Sequence, residues 1–182
     1  MPTPAIAPNP PGGPSASRLL SALKTSGTTH VVTVPDFVQF ALHAQLSDFA
    51  NGIRQIFACS EDQALTVATG LYVGGARPVV MVQNQGLYKC LNTLRATCID
   101  SGVPVVFLVG QFGREQDNFG KSMRQSERSM VRLMEPLLDG LGLRYWTIED
   151  DAQSVNIGEA FAHAYSAKSA SIVLIARHVT WN

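Results

Sequence analysis

The sequence predicts an α/β fold of three layers, a six-stranded parallel sheet held between two layers of helices, and three observations lead to it. Short runs rich in Val, Ile and Leu recur six times along the 182 residues. Segments with apolar residues at helical spacing lie between them, and strict alternation of the two kinds is the mark of strand–helix–strand units. The run Pro104 to Gly110 is apolar throughout, as a strand covered on both faces must be. Right-handed crossovers are expected from strand twist.

The first seventeen residues hold six of the ten prolines. Proline removes a donor and fixes φ, so residues 1–16 are expected to form a disordered tail and residues 17–182 a single domain. Ser17 to Lys24 reads as a helix with Leu19, Leu20 and Leu23 inward, followed by a β-branched strand, His30 to Val34. Pro35-Asp36 ends that strand, and Asp36 suits the N-cap of a helix from Phe37 to Leu46. The next strand, Ile53 to Cys59, is expected to be buried and to give way to a helix, Glu61 to Val73. Small residues Ala64, Ala68 and Gly70 would let that helix lie close to a sheet or a partner, and Gly74-Gly75 would stop it.

Strand Pro78 to Gln83 runs into a polar stretch, Gln83-Asn84-Gln85-Gly86. Gly86 permits positive φ there, leaving backbone N–H groups free to face a ligand as the next helix begins. Helix Leu87 to Asp100 carries Leu87, Leu91, Leu94 and Cys98 on one stripe. Strand Pro104 to Gly110 and a polar loop, Gln111 to Gln125, come next. Helix Ser126 to Leu141, strand Leu143 to Ile148, helix Ala152 to Ala167 and strand Ser171 to Ala176 complete the chain. No internal repeat is visible.

Composition excludes several classes of function. Fourteen basic residues balance fourteen acidic ones, so there is no electrostatic footprint for nucleic acid or an anionic membrane surface. The three cysteines, Cys59, Cys90 and Cys98, show no C-x-x-C spacing; they argue against a disulfide framework or a zinc site, fit a reducing compartment, and read as core or helix-face residues. The chain lacks a basic start with an apolar stretch, and lacks a run long enough to span a bilayer, so a cytoplasmic location is expected.

Chemistry concentrates at the predicted carboxyl ends of strands, where open α/β sheets form ligand crevices. Glu61 stands at a strand-to-helix junction and admits two readings: a helix-start carboxylate favoured by the macrodipole, or an acid–base group reaching the crevice. Gln83 and Asn84 either contact a ligand or cap the following helix. Asp36 either caps a helix or enters the same crevice. Arg114, Lys121 and Arg124, among Glu115 and Asp117, either form a lid that meets an anionic group or a solvated loop. His30, His43, His163 and His178 all lie outside residues 44–162 and read as surface or satisfied core residues.

Val34-Pro35-Asp36, Glu61 with Ala64, Ala68 and Gly70, Gln83-Asn84-Gln85-Gly86-Leu87 with Asn92, and Glu135 through Gly142 resemble, in this order, the pyrimidine-binding (PYR) domain of thiamine-diphosphate enzymes. The resemblance is to the alpha subunit of the two-chain sulfopyruvate decarboxylases and to phosphonopyruvate decarboxylases, and it covers roughly residues 17 to 180. It implies a PYR-type fold and thiamine diphosphate as cofactor. Glu61 is then the carboxyl that hydrogen-bonds the pyrimidine N1′ and shifts the ring toward its imino tautomer, which works best among apolar residues. Pro35, Gln83, Asn84 and Gly86 are implied as further cofactor contacts, and Asp36, Asn84, Gln111 and Arg114 as substrate contacts.

Two departures from the family pattern matter. Related phosphonopyruvate decarboxylases carry a histidine in the loop after the fourth strand, which this chain lacks; Gln111 or Gln116 would handle protons through water, or the substrate differs. The Gly-Asp-Gly segment and later Asn that hold Mg²⁺ on the diphosphate are also missing, Asp139-Gly140 being the nearest fragment. The implied protein is therefore the alpha subunit of a hetero-oligomeric decarboxylase of a short 2-oxo acid such as sulfopyruvate or phosphonopyruvate, with Mg²⁺ held by a separately encoded beta subunit. A related carboligase or lyase subunit and a non-catalytic, partner-stabilising subunit are the alternatives. A flavodoxin-like nucleotide-binding domain is disfavoured, since no Gly-x-Gly-x-x-Gly follows the first strand.

Overall fold

The structure, a computed structural model, describes residues 12–182. Six parallel strands form one sheet: β1 (His30–Thr33), β2 (Arg54–Phe57), β3 (Pro78–Gln83), β4 (Val105–Gly110), β5 (Arg144–Ile148) and β6 (Ala170–Ile175), in the order β2-β1-β3-β4-β6-β5. Successive side chains of a strand point to opposite faces, and the sheet's two cores divide accordingly. Val31, Val79, Met81, Leu108 and Val173 meet α1 (Ala16–Thr25), α2 (Phe40–Leu46) and α8 (Asn156–Ala167) on one face. Val32, Val80, Val82, Phe107 and Ile172 meet α3 (Glu61–Val73), α4 (Asn84–Lys89), α5 (Leu91–Leu94), α6 (Ser129–Arg132) and α7 (Met134–Gly140) on the other. The expected three layers are present. β4 is buried along its whole length.

Several local expectations are corrected. The strand expected to be buried, β2, is a sheet edge with Arg54 and Phe57 exposed. Gly70 is exposed and a Cβ there would meet nothing within 4 Å, so only Ala64, Leu65 and Ala68 bring α3 close to the sheet. The helix expected from Leu87 starts at Asn84, directly from β3, breaks at Cys90, and ends in a π-helical turn, Arg95–Asp100. The single helix expected from Ser126 to Leu141 is two short ones. Pro136 has no N–H and its ring crowds the carbonyl four residues back, so it is accommodated in the first turn of α7 and the chain breaks at Leu133. Upstream, Ser126 and the Arg128 backbone are tied to Glu115.

The domain starts earlier than position 17. Residues 12–16 already belong to the fold: Ser15 bridges Thr180, Ala16 is buried, and a Cβ at Gly13 would fall on the His178 carbonyl. The rest of the expected tail, residues 1–11, lies outside the described residues.

The carboxyl ends of β1 and β4 are stapled together. Asp36 does not cap a helix, since α2 starts only at Phe40. Its carboxylate turns back to accept from the Val38 N–H at 2.9 Å and the Gln39 Nε2 at 2.8 Å, and it leans on Gly110, whose missing Cβ would fall on Asp36 Oδ2. Gln39 Nε2 also reaches the carbonyls of Val82 and Leu108, at 3.3 Å each. Gly110→Ala is therefore expected to lower stability by about 1–3 kcal/mol, as overpacking does. Gly70→Ala, with open space and a helical backbone, should instead raise it by about 0.5–1 kcal/mol. Urea unfolding of both variants checks the pair, and a Gly110→Ala midpoint equal to that of the native chain would remove the staple.

Candidate functional site

The predicted site residues gather along the carboxyl edge of the sheet, but few of them face outward. Glu61 opens α3 after β2. The capping work there is done by its neighbours: Ser60 Oγ accepts from the Gln63 N–H at 3.3 Å and Gln63 Oε1 accepts from the Cys59 N–H at 2.8 Å. This arrangement resembles a capping box and leaves the Glu61 carboxylate free of that duty. Asp62, the next residue, accepts from Thr93 Oγ1 at 2.7 Å and fixes the first turn of α3 against α5.

The Glu61 side chain, 16% exposed, lies over Gly86 of α4. A Cβ at position 86 would stand 2.7 Å from Oε1 and 2.8 Å from Cδ, closer than real contacts allow. Gly86 was expected to supply positive φ, yet it sits inside α4 and is not among the positive-φ glycines. Its glycine is required by space. Lys89, one helical turn on, brings Nζ to 3.4 Å from Glu61 Oε2, and Cys90 follows with a thiol pushed up to about 12 by burial and by the negative charges of Asp62 and Glu61. Cys98 is buried as expected, whereas Cys59 is exposed.

Of the other candidates, Pro35 is exposed at the end of β1 and Gln83 is half-buried at the end of β3. Asn84 is turned inward: both amide hydrogens are committed, to the Phe112 carbonyl at 3.0 Å and the Met130 carbonyl at 3.3 Å. It braces two loops. Gln111 is buried at the end of β4, its Oε1 without a hydrogen-bond partner. Arg114, expected to meet an anionic substrate, is only 1% exposed and bound on every side, to Asn118 Oδ1, to the carbonyls of Asn118 and Lys121, and to Glu149 Oε1 at 2.7 Å. Arg124 pairs with Glu135 and Asp139, and Glu115 with Ser126. The loop from 111 to 125 is braced by its own residues and by Ser126, Glu135, Asp139 and Glu149, so of its two readings the contacts describe neither a free lid nor a merely solvated loop. Asn92 is exposed and accepts from Arg95.

Asp36 is 1% exposed. Burial pushes its carboxyl up to about 6, against the opposing hydrogen bonds from Gln39, Val38 and Gly110. Its backbone N–H donates to His43 Nε2 at 3.1 Å, and His43 Nδ1 lies 2.8 Å from Gln55 Nε2. Burial holds that imidazole down to about 4. Gln39 and Lys89 were not singled out from the sequence, and His43, read there as a surface or satisfied core residue, is buried with a partner at each ring nitrogen. Gln39 and His43 are legible only once the turn at Asp36 is known. Lys89 could have been found from its spacing of three to Gly86, had the helix been started at Asn84. Large aromatic side chains also crowd this edge: Phe37 after β1, Phe57 at the end of β2 and Phe112 after β4 are exposed, as is Trp181 against Phe40.

Comparison with known proteins places this arrangement. The family described as "Thiamine pyrophosphate enzyme, N-terminal TPP binding domain" matches residues 15–133. A phosphonopyruvate decarboxylase of Streptomyces viridochromogenes is 26% identical over 150 residues, which are 82% of this chain and 36% of that protein. A sulfopyruvate decarboxylase of Methanosarcina acetivorans is 19% identical over 163 residues, 89% of this chain and 40% of that protein. The chain thus spans 36% to 40% of the length of these two relatives. Among solved structures, a 2-oxoglutarate:ferredoxin oxidoreductase from Magnetococcus marinus superposes with a TM-score of 0.65 at 13% identity, over 89% of this chain and 29% of that one, and shares the fold.

The Asp36–His43 contact generates a prediction with a worked sign. Asp36 binds its proton more tightly folded than unfolded, so its contribution is present in acid and is lost as pH rises from about 4 toward 6. His43 binds its proton less tightly when folded, so its contribution is present near neutrality and is lost as pH falls from about 6.5 toward 4. The two slopes oppose each other in one window. Asp36→Asn should therefore leave a chain that loses stability on acidification, and His43→Gln one that gains it, each by on the order of 3 kcal/mol across the window at 1.36 kcal/mol per pKa unit. Chemical unfolding at pH 4 to 6.5 reads both, and slopes of the same sign in the two variants would refute the assignment.

Proposed function

The chain belongs to the thiamine pyrophosphate enzymes, through their N-terminal TPP-binding domain, and from that membership we propose that it is the pyrimidine-binding alpha subunit of a heteromeric, thiamine-diphosphate-dependent decarboxylase acting on a short 2-oxo acid such as sulfopyruvate or phosphonopyruvate. The observation that carries this reading is the Glu61 carboxylate, held over the open backbone of Gly86 and free of helix-capping duty. A half-buried carboxyl whose one charge partner is an exposed lysine suits a heteroaromatic nitrogen, because a shared proton is not drawn off by water there.

Glu61, with Gly86 keeping its space clear and Pro35 and Gln83 at the neighbouring strand ends, would hold the aminopyrimidine of the cofactor. When bound, thiamine diphosphate supplies an electron sink for the bond between the carboxylate and the keto carbon. Glu61 holds or shares a proton at the ring nitrogen. Asp36, Asn84 and Arg114 act at one remove in this proposal, since their polar groups are bonded within the chain, and they keep the strand ends and loops in register around Glu61. Gln111, with an unpartnered Oε1, remains the candidate of the expected set for a contact with substrate or water.

The diphosphate and its Mg²⁺ belong, in this proposal, to a separate beta subunit. The exposed aromatic side chains along the carboxyl edge, which suit burial against another protein surface, support that division. The resemblance of the relatives named for phosphonopyruvate and sulfopyruvate supports the substrate class. A cytoplasmic setting is part of the proposal and rests on the three cysteines, all free thiols; among the described residues no helix is long and apolar enough to cross a membrane.

Glu61→Gln keeps the size of the side chain and removes the acidic proton. It is expected to slow hydrogen–deuterium exchange at the cofactor C2, and turnover with it, by roughly 10²- to 10⁴-fold, with a thermal midpoint close to that of the native complex. Gly86→Ala should slow the same exchange although Glu61 itself is intact, since the new methyl displaces its carboxyl. Near-native exchange in a folded Glu61→Gln complex would sink the catalytic assignment. Turnover by the purified chain alone, given cofactor and Mg²⁺, would sink the two-chain reading.

A further inference from the structure

The charge that Glu61 carries is answered from a single direction. Gly86 and Lys89 stand three apart on α4 and so share the face turned to α3; the first leaves room for the Glu61 side chain and the second pairs its Oε2 at 3.4 Å. The other titratable groups packed near it are Asp62 on its own helix, engaged with Thr93, and the buried, neutral Cys90 thiol on α4. Among the described residues Glu61 is the one acceptor of the Lys89 ammonium.

Lys89 is also placed to leave. It is the last residue of a six-residue helix, its side chain is 55% exposed, and α4 breaks immediately after it at Cys90. An exposed ammonium on a flexible four-carbon stem exchanges its partner for water at little cost.

We propose that Lys89 is a displaceable partner of Glu61, a positioning residue that holds the carboxylate over Gly86 in the unloaded subunit and must withdraw when a ligand nitrogen takes its place. The inference rests on the cofactor reading of Glu61 and deepens it. Charge pairing with an ammonium and proton sharing with a ring nitrogen compete for one carboxylate. Loading the site therefore includes breaking the Glu61–Lys89 pair, and the pair sets part of the affinity.

The test is calorimetric titration of thiamine diphosphate, with Mg²⁺, into the full chain together with the subunit that copurifies with it. Lys89→Met keeps the stem and removes the charge, so it should bind roughly two- to five-fold more tightly, the range an exposed ion pair represents. Lys89→Arg keeps the charge and should bind as the native chain does. In a Glu61→Gln background the Lys89→Met change should have no effect on affinity, which a merely structural role for Lys89 would not produce. Equal or weaker binding by Lys89→Met than by the native chain would overturn the proposal while leaving the cofactor reading intact. Absence of binding by every form would overturn the cofactor reading and this inference with it.

Discussion

Glu61 and Gly86 compete for the same space, and the carboxyl edge of this sheet depends on how that competition is settled. The Glu61 carboxyl occupies volume that any side chain at position 86 would need. It can do so only because β3 passes into α4 without an intervening loop, which sets Gly86 within a helix and opposite the first turn of α3. Ser60 and Gln63 close that turn, and Asp62 ties it to Thr93. Each contact removes a way for Glu61 to turn aside. A carboxyl aimed by packing and by the hydrogen bonds of its neighbours is preorganised, and what it binds need not supply the ordering.

The remaining charges of this edge are used to hold backbone. Asp36 gathers donors from Val38, Gln39 and Gly110. Glu149 receives Arg114 at 2.7 Å, Arg177 at 3.4 Å and the Gly120 N–H at 2.9 Å, with Phe119 lying under both guanidinium groups. Such largely buried, paired charges contribute little net stability compared with apolar residues of the same volume, but removing one partner leaves the other stranded with little water to replace it. They behave as pins. One joins the ends of β1 and β4, and the other joins the loop after β4 to the ends of β5 and β6. Between them they hold the rim around Glu61 without being part of it.

The sheet and its helices were legible because burial writes itself into sequence. Four of the six strands, β1, β3, β4 and β6, stand on Val- and Ile-rich runs, β2 and β5 lie within their expected spans, and the unbroken apolar run of β4 reads correctly as a strand covered on both faces. Strand order was not legible, since pairing partners leave no local mark, and so β2 was read as buried when its Arg54 and Phe57 face outward at an edge. Position 136 carried a signal that the pattern of leucines obscured, a proline that a continuous helix could not hold. At the site, the place of Glu61 followed from the strand-to-helix junction, but the use of Gly86 did not. A glycine spared for space and a glycine spared for φ look alike in sequence. Arg114 and Asn84 each kept two readings for a related reason: a polar residue at a strand end is equally suited to a ligand and to a nearby carbonyl, and only the contacts distinguish them.

What distinguishes Glu61 from Asp36, Arg114 and Glu149 is therefore how little of the fold depends on its charge. Asp36, Arg114 and Glu149 are each held by backbone groups or by a counter-charge within the fold, whereas Glu61 packs against Gly86 and has a half-exposed lysine as its one charge partner. Half-burying a carboxylate with so little compensation is unfavourable for a folded chain standing alone. Elsewhere on the same carboxyl edge, Phe37, Phe57, Phe112 and Trp181 leave apolar surface in water, which is unfavourable for the same chain on separate grounds. The two costs fall on one edge of one sheet, and a single event relieves both: a second surface closing over the aromatic side chains while a nitrogen-bearing ring meets the carboxyl. Neither feature serves the stability of the chain by itself, and the coincidence of the two on one edge is the physical reason to read it as half of the proposed site.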